Sequence, residues 1–134
     1  MLLQKNYSAQ EMNDTQYLCD VCSEAITNPL CPFCLTTEIE AWLTLYPSLK
    51  QELMPKLENY LKKANNKITN YGTRCIKCKI NRAFVCPYCF TEYVFNELID
   101  MGAEKIILKE FFEFFNFDFG HKGYTRLAEE MGVI

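Results

Sequence analysis

All eight cysteines of this 134-residue chain stand in two copies of one pattern. The first copy reads Cys19-Asp-Val-Cys22, eight residues, then Cys31-Pro-Phe-Cys34. The second reads Cys75-Ile-Lys-Cys78, seven residues, then Cys86-Pro-Tyr-Cys89, at an offset of 55 or 56 residues. A C-x-x-C turn aims two sulfurs at one point, so each copy carries two such turns. The N-terminus, Met-Leu-Leu-Gln-Lys-Asn-Tyr, has no charged-then-apolar signal pattern with a small-residue cleavage site. The cysteines therefore read as metal ligands of an intracellular, cytoplasmic protein, not as four exported disulfides.

Tetrahedral coordination by thiolates takes four sulfurs at about 2.3 Å, so eight cysteines complete two closed shells with no position for a catalytic water. An all-cysteine shell without methionine suits Zn²⁺, two per chain, with iron the second candidate. The spacing is not that of a ferredoxin-type cluster.

The residues after each motif repeat as well. Cys31 stands at a helix N-cap position with Pro32 in the first turn, and Leu35, Ile39, Trp42, Leu43 and Tyr46 keep to one helical face. Pro47 is expected to end that helix and Ser48 to cap a second, carrying Leu49, Leu53, Leu57, Tyr60 and Leu61, with a kink or break at Pro55. In the second copy Phe90, Val94, Leu98 and Met101 match Leu35, Ile39, Leu43 and Tyr46 at a constant offset of 55. Gly102 stands where Pro47 stood, and Leu108, Phe112 and Phe115 match Leu53, Leu57 and Tyr60. Hairpins are expected between the two C-x-x-C turns of each copy, one turning near Asn28-Pro29, the other built from Ile80 and Ala83-Phe-Val85.

The fold class implied is α+β, small and mostly α. It comprises two duplicated zinc-braced β-hairpin–helix–helix units, a lead-in over residues 1–17 and a short C-terminal helix. The first unit spans 18–66 and the second 67–134, joined through Asn65-Asn66 and Asn70-Tyr-Gly72. The terminal helix would carry Tyr124, Leu127, Ala128 and Met131 beyond Gly120 and Gly123. With 49% hydrophobic and 14% aromatic residues such a chain can fill a core. Its apolar runs are far shorter than the ~20 residues of a membrane span.

Each copy's C-x₂-C-x₇₋₈-C-P-[FY]-C pattern resembles the first half of HIT-type zinc fingers and, more loosely, B-box and treble-clef fingers. The likeness covers the sixteen residues from Cys19 to Cys34 and the matching stretch of the second copy. It implies a short treble-clef-like zinc finger per copy, each metal held by its own copy: Cys19, Cys22, Cys31 and Cys34, then Cys75, Cys78, Cys86 and Cys89. Pairing interleaved between the copies is the alternative. The Cys-Pro-x-Cys turn also resembles the second knuckle of rubredoxin, which would imply iron.

Charge divides the chain. Residues 6–49 carry six acids and no Lys or Arg, whereas 59–91 carry seven bases and no acid. Arg74, Lys77, Lys79 and Arg82 crowd the second motif, with Phe84 and Tyr88 as stacking groups, so nucleic acid is a candidate partner. Equally, those bases can offset the charge of a metal–thiolate centre or face the acidic first copy. Eight thiolates against two Zn²⁺ take the formal charge of −3 to about −7, which disfavours indiscriminate nucleic-acid binding.

The leading expectation is a protein-interaction scaffold or adaptor, acting on a protein partner or as a homodimer. Its candidate interface is the second apolar stripe Ile107, Phe111 and Phe114. No catalytic residue is assigned: His121, the sole histidine, sits in Gly-His-Lys-Gly with no acid or nucleophile at a recognisable spacing. Neither a phosphate loop nor a nucleophile elbow appears, and no small-molecule substrate or membrane role is expected.

Overall fold

The computed structural model describes residues 18–26, 29–65, 73–115, 129–130 and 132. In chain order its elements are α1 (Pro32–Trp42), a 3-10 turn (Leu43–Leu45), α2 (Pro47–Asn65), β1 (Thr73–Arg74), β2 (Asn81–Ala83), α3 (Pro87–Asp100) and α4 (Lys105–Phe114). It is a small, α-rich α+β arrangement. The lead-in, Asn28, the linker from Asn66 to Gly72, His121 and the expected terminal helix lie outside the described residues.

Cys-Pro starts a helix twice for the same reason. Cys31 and Cys86 are extended (φ −71, ψ 156 and φ −68, ψ 153), and the proline that follows has its φ already set for a first turn and no N–H to leave unpaired. Pro47 acts likewise and does not simply stop α1. That helix ends at Trp42, tightens through Leu43–Leu45, and Pro47 becomes the first residue of α2. Ser48 consequently lies inside α2 and not at its cap. Pro55 does not break α2 either. Pro55 and Gln51 are both exposed, which places the turn that loses its i+4 bond on the solvent side of α2. At the matching place in the second half, Gly102 takes φ +77, and the N–H groups of Gly102 and Ala103 donate to Ile99 and Leu98 at 2.9 and 3.0 Å. That double bond closes α3, and the left-handed φ is one glycine adopts without a Cβ penalty.

The strands are not where the motif spacing placed them. β1 and β2 pair antiparallel across the Cys75–Cys78 turn itself, Thr73 with Ala83 and Arg74 with Asn81. In the first half a single bridge, Leu18 to Ala25, does the same around Cys19–Cys22. Each turn is closed by a left-handed residue just after its second cysteine, Ser23 at φ +62 and Lys79 at φ +65. The chain leaving a knuckle thus runs back past its own entry and away from the tip.

The two halves share one core. α2 packs on α1 and α3, and α3 also packs on α1 and α4. Leu35, Ile39, Leu43, Leu53, Leu57, Val94, Leu98, Leu108 and Phe112 are buried as their periodicity implies. Phe90, Phe95 and Phe111 are the largest fully buried side chains. Among the described residues no helix is long and apolar enough to cross a membrane.

One end of this core is aromatic. Trp42 lies edge-on to Phe111 at 5.4 Å and to Phe115 at 6.1 Å, while Phe111 and Phe115 stand 4.9 Å apart. The Trp42 indole N–H and the Tyr46 hydroxyl both donate to Glu110 Oε1, at 2.8 and 2.7 Å. Shifted by 55 residues, the Trp42–Phe111 pair becomes Glu97 and Lys56, which form an ion pair of 3.1 Å at the partly exposed other end. Phe111 is therefore core, not interface: Trp42 reaches across from α1 to bury it. Ile107 is half-buried, and of the stripe only Phe114, 65% exposed, faces solvent.

The two corresponding pairs should differ sharply in urea unfolding. Phe111→Ala is expected to cost about 3–5 kcal/mol as a buried aromatic deletion, and Lys56→Ala less than about 1 kcal/mol as an exposed ion pair.

Candidate metal centre

The eight thiols converge into two clusters, and each draws on both halves of the chain. Cys19, Cys22, Cys86 and Cys89 form one; Cys31, Cys34, Cys75 and Cys78 form the other, with the four sulfurs of each cluster within 4.8 Å of one another. The pairing implied by the finger resemblance, each copy holding its own metal, does not form. The first C-x-x-C turn of one copy meets the helix start of the other. Each knuckle turns back on itself at Ser23 or Lys79, and the helix start that lies beside it is the one from the other half.

Backbone hydrogen bonds fix the exchange at both places in matching fashion. The Cys86 N–H donates to Cys19 Sγ and the Cys31 N–H to Cys75 Sγ, each at 3.3 Å. Val21 and Lys77 donate to the same two sulfurs at 3.4 Å. Asp20 N–H reaches the Phe84 carbonyl at 2.9 Å, and Ile76 N–H the Pro29 carbonyl at 2.8 Å. Within each knuckle the first-cysteine carbonyl accepts from Ser23 at 2.9 Å and from Lys79 at 3.0 Å.

The donor set fits a tetrahedral ion. Sulfurs at about 2.3 Å from a common centre stand ~3.8 Å apart along a tetrahedron edge. The Cys31–Cys78 and Cys75–Cys34 separations are both 3.8 Å. All eight cysteines are free of disulfides. Cys19, Cys31, Cys75, Cys86 and Cys89 are buried, and Cys22, Cys34 and Cys78 are half-buried. Such buried, converging sulfurs, supplied with N–H donors, suit a thiolate-bound ion such as zinc.

The thiols divide in acidity. The bond from the Cys86 side chain holds Cys19 far down, at about 4, against the opposing effect of burial. Its partners move the other way: sharing with Cys19 and then burial raise Cys86, and burial foremost raises Cys89 to about 12. In the second cluster burial raises Cys31 and Cys34. Burial also works against ionisation of Cys75, but N–H donors from Cys31, Cys78 and Lys77 bring it down to about 6. Four crowded thiols cannot all ionise without a cation among them.

The four bases flagged by sequence have separate placements. Burial disfavours the charge on Arg82, yet the Cys78 and Cys31 sulfurs hold its guanidinium ionised, above its ordinary range. The same group lies 4.1 Å from the centre of the Phe33 ring. Lys77 pairs with Glu38 of α1 at 3.3 Å, and Lys79 donates to the Ile76 carbonyl at 2.9 Å. Arg74 is exposed. Of the two aromatics offered for stacking, Tyr88 is buried and Phe84 half-buried. Sequence reasoning did not single out Phe33, Glu38 or Ser23, and it flagged Lys79 for its charge and not for its left-handed backbone. The opposite charges of the two halves were the available signal for the Lys77–Glu38 contact.

No family model matches the chain, no curated protein matches it in sequence, and no solved structure matches it. The resemblance to HIT-type and treble-clef fingers is carried by the cysteine pattern alone.

Acid should weaken metal binding steeply. At neutral pH the metal-free clusters retain protons on Cys86 and Cys89, and on Cys31 and Cys34, all raised above the ordinary thiol value. Binding must expel at least these two per ion, so lowering pH restores the competitor and lowers affinity. The expected loss is at least about a hundredfold per pH unit for each site. Competition titrations against a chelating indicator at pH 6 and 7 measure it, and calorimetry in two buffers counts the protons released.

Proposed function

We propose that this chain is a zinc protein whose two structural four-cysteine centres clasp a duplicated knuckle–helix–helix unit to its own second copy. The clasped body then serves as a protein-interaction scaffold. The observation carrying this is that each four-thiol cluster takes two sulfurs from either half. The duplication is supported by the paired N–H···S bonds, the paired left-handed residues and the helical faces that match at an offset of 55. Zinc is favoured over iron by the all-thiolate shell and the closed tetrahedron it can form. A shell filled by four sulfurs has no place for a substrate or a water, so the centres are structural and the role non-catalytic.

The scaffold reading draws on α4, whose Ile106 and Phe114 are 72% and 65% exposed although the helix is otherwise packed by its apolar residues. A protein partner or a second copy of the chain would cover them. Nucleic-acid binding is the weaker alternative, because Arg82, Lys77 and Lys79 already have partners within the chain.

Native mass spectrometry is expected to find two zinc ions per chain, and the spectrum of a cobalt-substituted sample a tetrahedral thiolate shell. Iron absorption bands or a single ion per chain would overturn the zinc assignment. Replacing Ile106→Glu and Phe114→Asp together is expected to leave metal content and Tm unchanged while abolishing self-association or partner capture. A protein that is monomeric, captures nothing and is indifferent to the pair of substitutions would sink the scaffold role.

A further inference from the structure

The ligand pairs follow one another along the chain as Cys19/Cys22, Cys31/Cys34, Cys75/Cys78 and Cys86/Cys89. One centre takes the first and last pairs, the other the middle two, so the second is nested inside the loop closed by the first. We infer that the two centres load cooperatively, each raising the other's affinity for metal, so that the chain passes from empty to doubly loaded over a narrow range of free zinc. This rests on the assignment of both clusters as metal centres.

Loop closure supplies the first part of the coupling. Joining Cys22 to Cys86 in an open chain closes about 64 residues. Once the inner centre is formed, the path shortens to the segments from Cys22 to Cys31 and from Cys78 to Cys86, about 17 residues together. The three-halves-power dependence of closure on length makes the second event about sevenfold more favourable. The Asp20–Phe84 and Ile76–Pro29 backbone bonds each close within one centre, joining its knuckle to the segment leading into its own helix start. Ile26 and Val85 lie within the two short connecting segments and are buried in the shared core, so their packing acts in the same direction as loop closure. Loop closure alone gives about sevenfold. Because coupling between two binding events is reciprocal, each centre must help the other equally.

The test is a zinc titration of the metal-free full-length chain, buffered by a competing chelator and read by native mass spectrometry. Independent, equal sites leave about half the chains with a single ion at half loading; sevenfold coupling reduces that to below about three in ten. A second measurement uses cobalt absorption on variants with one centre disabled, Cys22→Ser/Cys89→Ser or Cys34→Ser/Cys78→Ser. In either variant the remaining centre lacks the roughly sevenfold gain it has beside a loaded neighbour, so its cobalt midpoint is expected to rise about 2.6-fold (the square root of seven) or more above that of the intact protein, by similar factors. Two ions bound with single-ion chains at half, and with the remaining affinity within twofold of the intact protein, would overturn the coupling alone. A chain that binds no metal would overturn the centres themselves.

Discussion

The N–H of Cys86 on the Cys19 sulfur, and that of Cys31 on the Cys75 sulfur, join each knuckle to the helix that begins in the other half of the chain. Most of the architecture depends on this exchange. It forces the helix starts of α1 and α3 to face opposite knuckles and sets those helices against each other. It also leaves neither centre with all four sulfurs from one half. A small chain gains from such a clasp, because an ion held by both halves restricts the unfolded chain in a way that local packing does not. The charge of the half lying closest to the inner centre follows as well. Arg82 rests against its sulfurs and Lys77 pairs with the acid of α1 at the surface, so two of the four bases around the second motif are engaged within the chain.

Correspondence between the halves ends at their outer helices. At one end Trp42 and Phe111 meet inside a cluster of rings sealed by Glu110; at the other Glu97 and Lys56 meet in partial contact with water. The first contact excludes solvent and is indifferent to salt, while the second is screened by it. One of these two contacts is held by burial and the other lightly by charge, though the four residues are related by the same offset of 55.

Much of this is legible in the residue pattern, and the rest is hidden for identifiable reasons. Helix faces are readable because periodicity is local: Leu35, Ile39, Leu53 and Leu57, with Phe90, Val94 and Leu108, are buried where spacing puts them. The eight ligands are readable because cysteine pairs announce themselves. Their partition is not, since own-copy and crossed pairing use identical spacings. The crossed contacts are long-range, Cys86 N–H on Cys19 and Cys31 N–H on Cys75, and the left-handed φ that closes each knuckle falls on Ser23 and Lys79, which do not advertise it as glycine would have. Pro47 misleads because a proline that cannot extend one helix is equally suited to starting the next. Phe111 misleads because α4 is apolar on more than one face, and only the approach of Trp42 from α1 selects which face is core.

Nested ligands also impose an order of synthesis. A chain made from its N-terminus presents Cys19, Cys22, Cys31 and Cys34 with no partners until Cys75 and Cys78 arrive, the first of them 41 residues beyond Cys34. At about 5–20 residues per second that is a wait of some 2–8 s, after which the inner set is complete. The outer set stays open until Cys89 has followed. Cys19, only 2% accessible in the finished protein, is therefore the thiol that spends longest uncovered while the protein is being made.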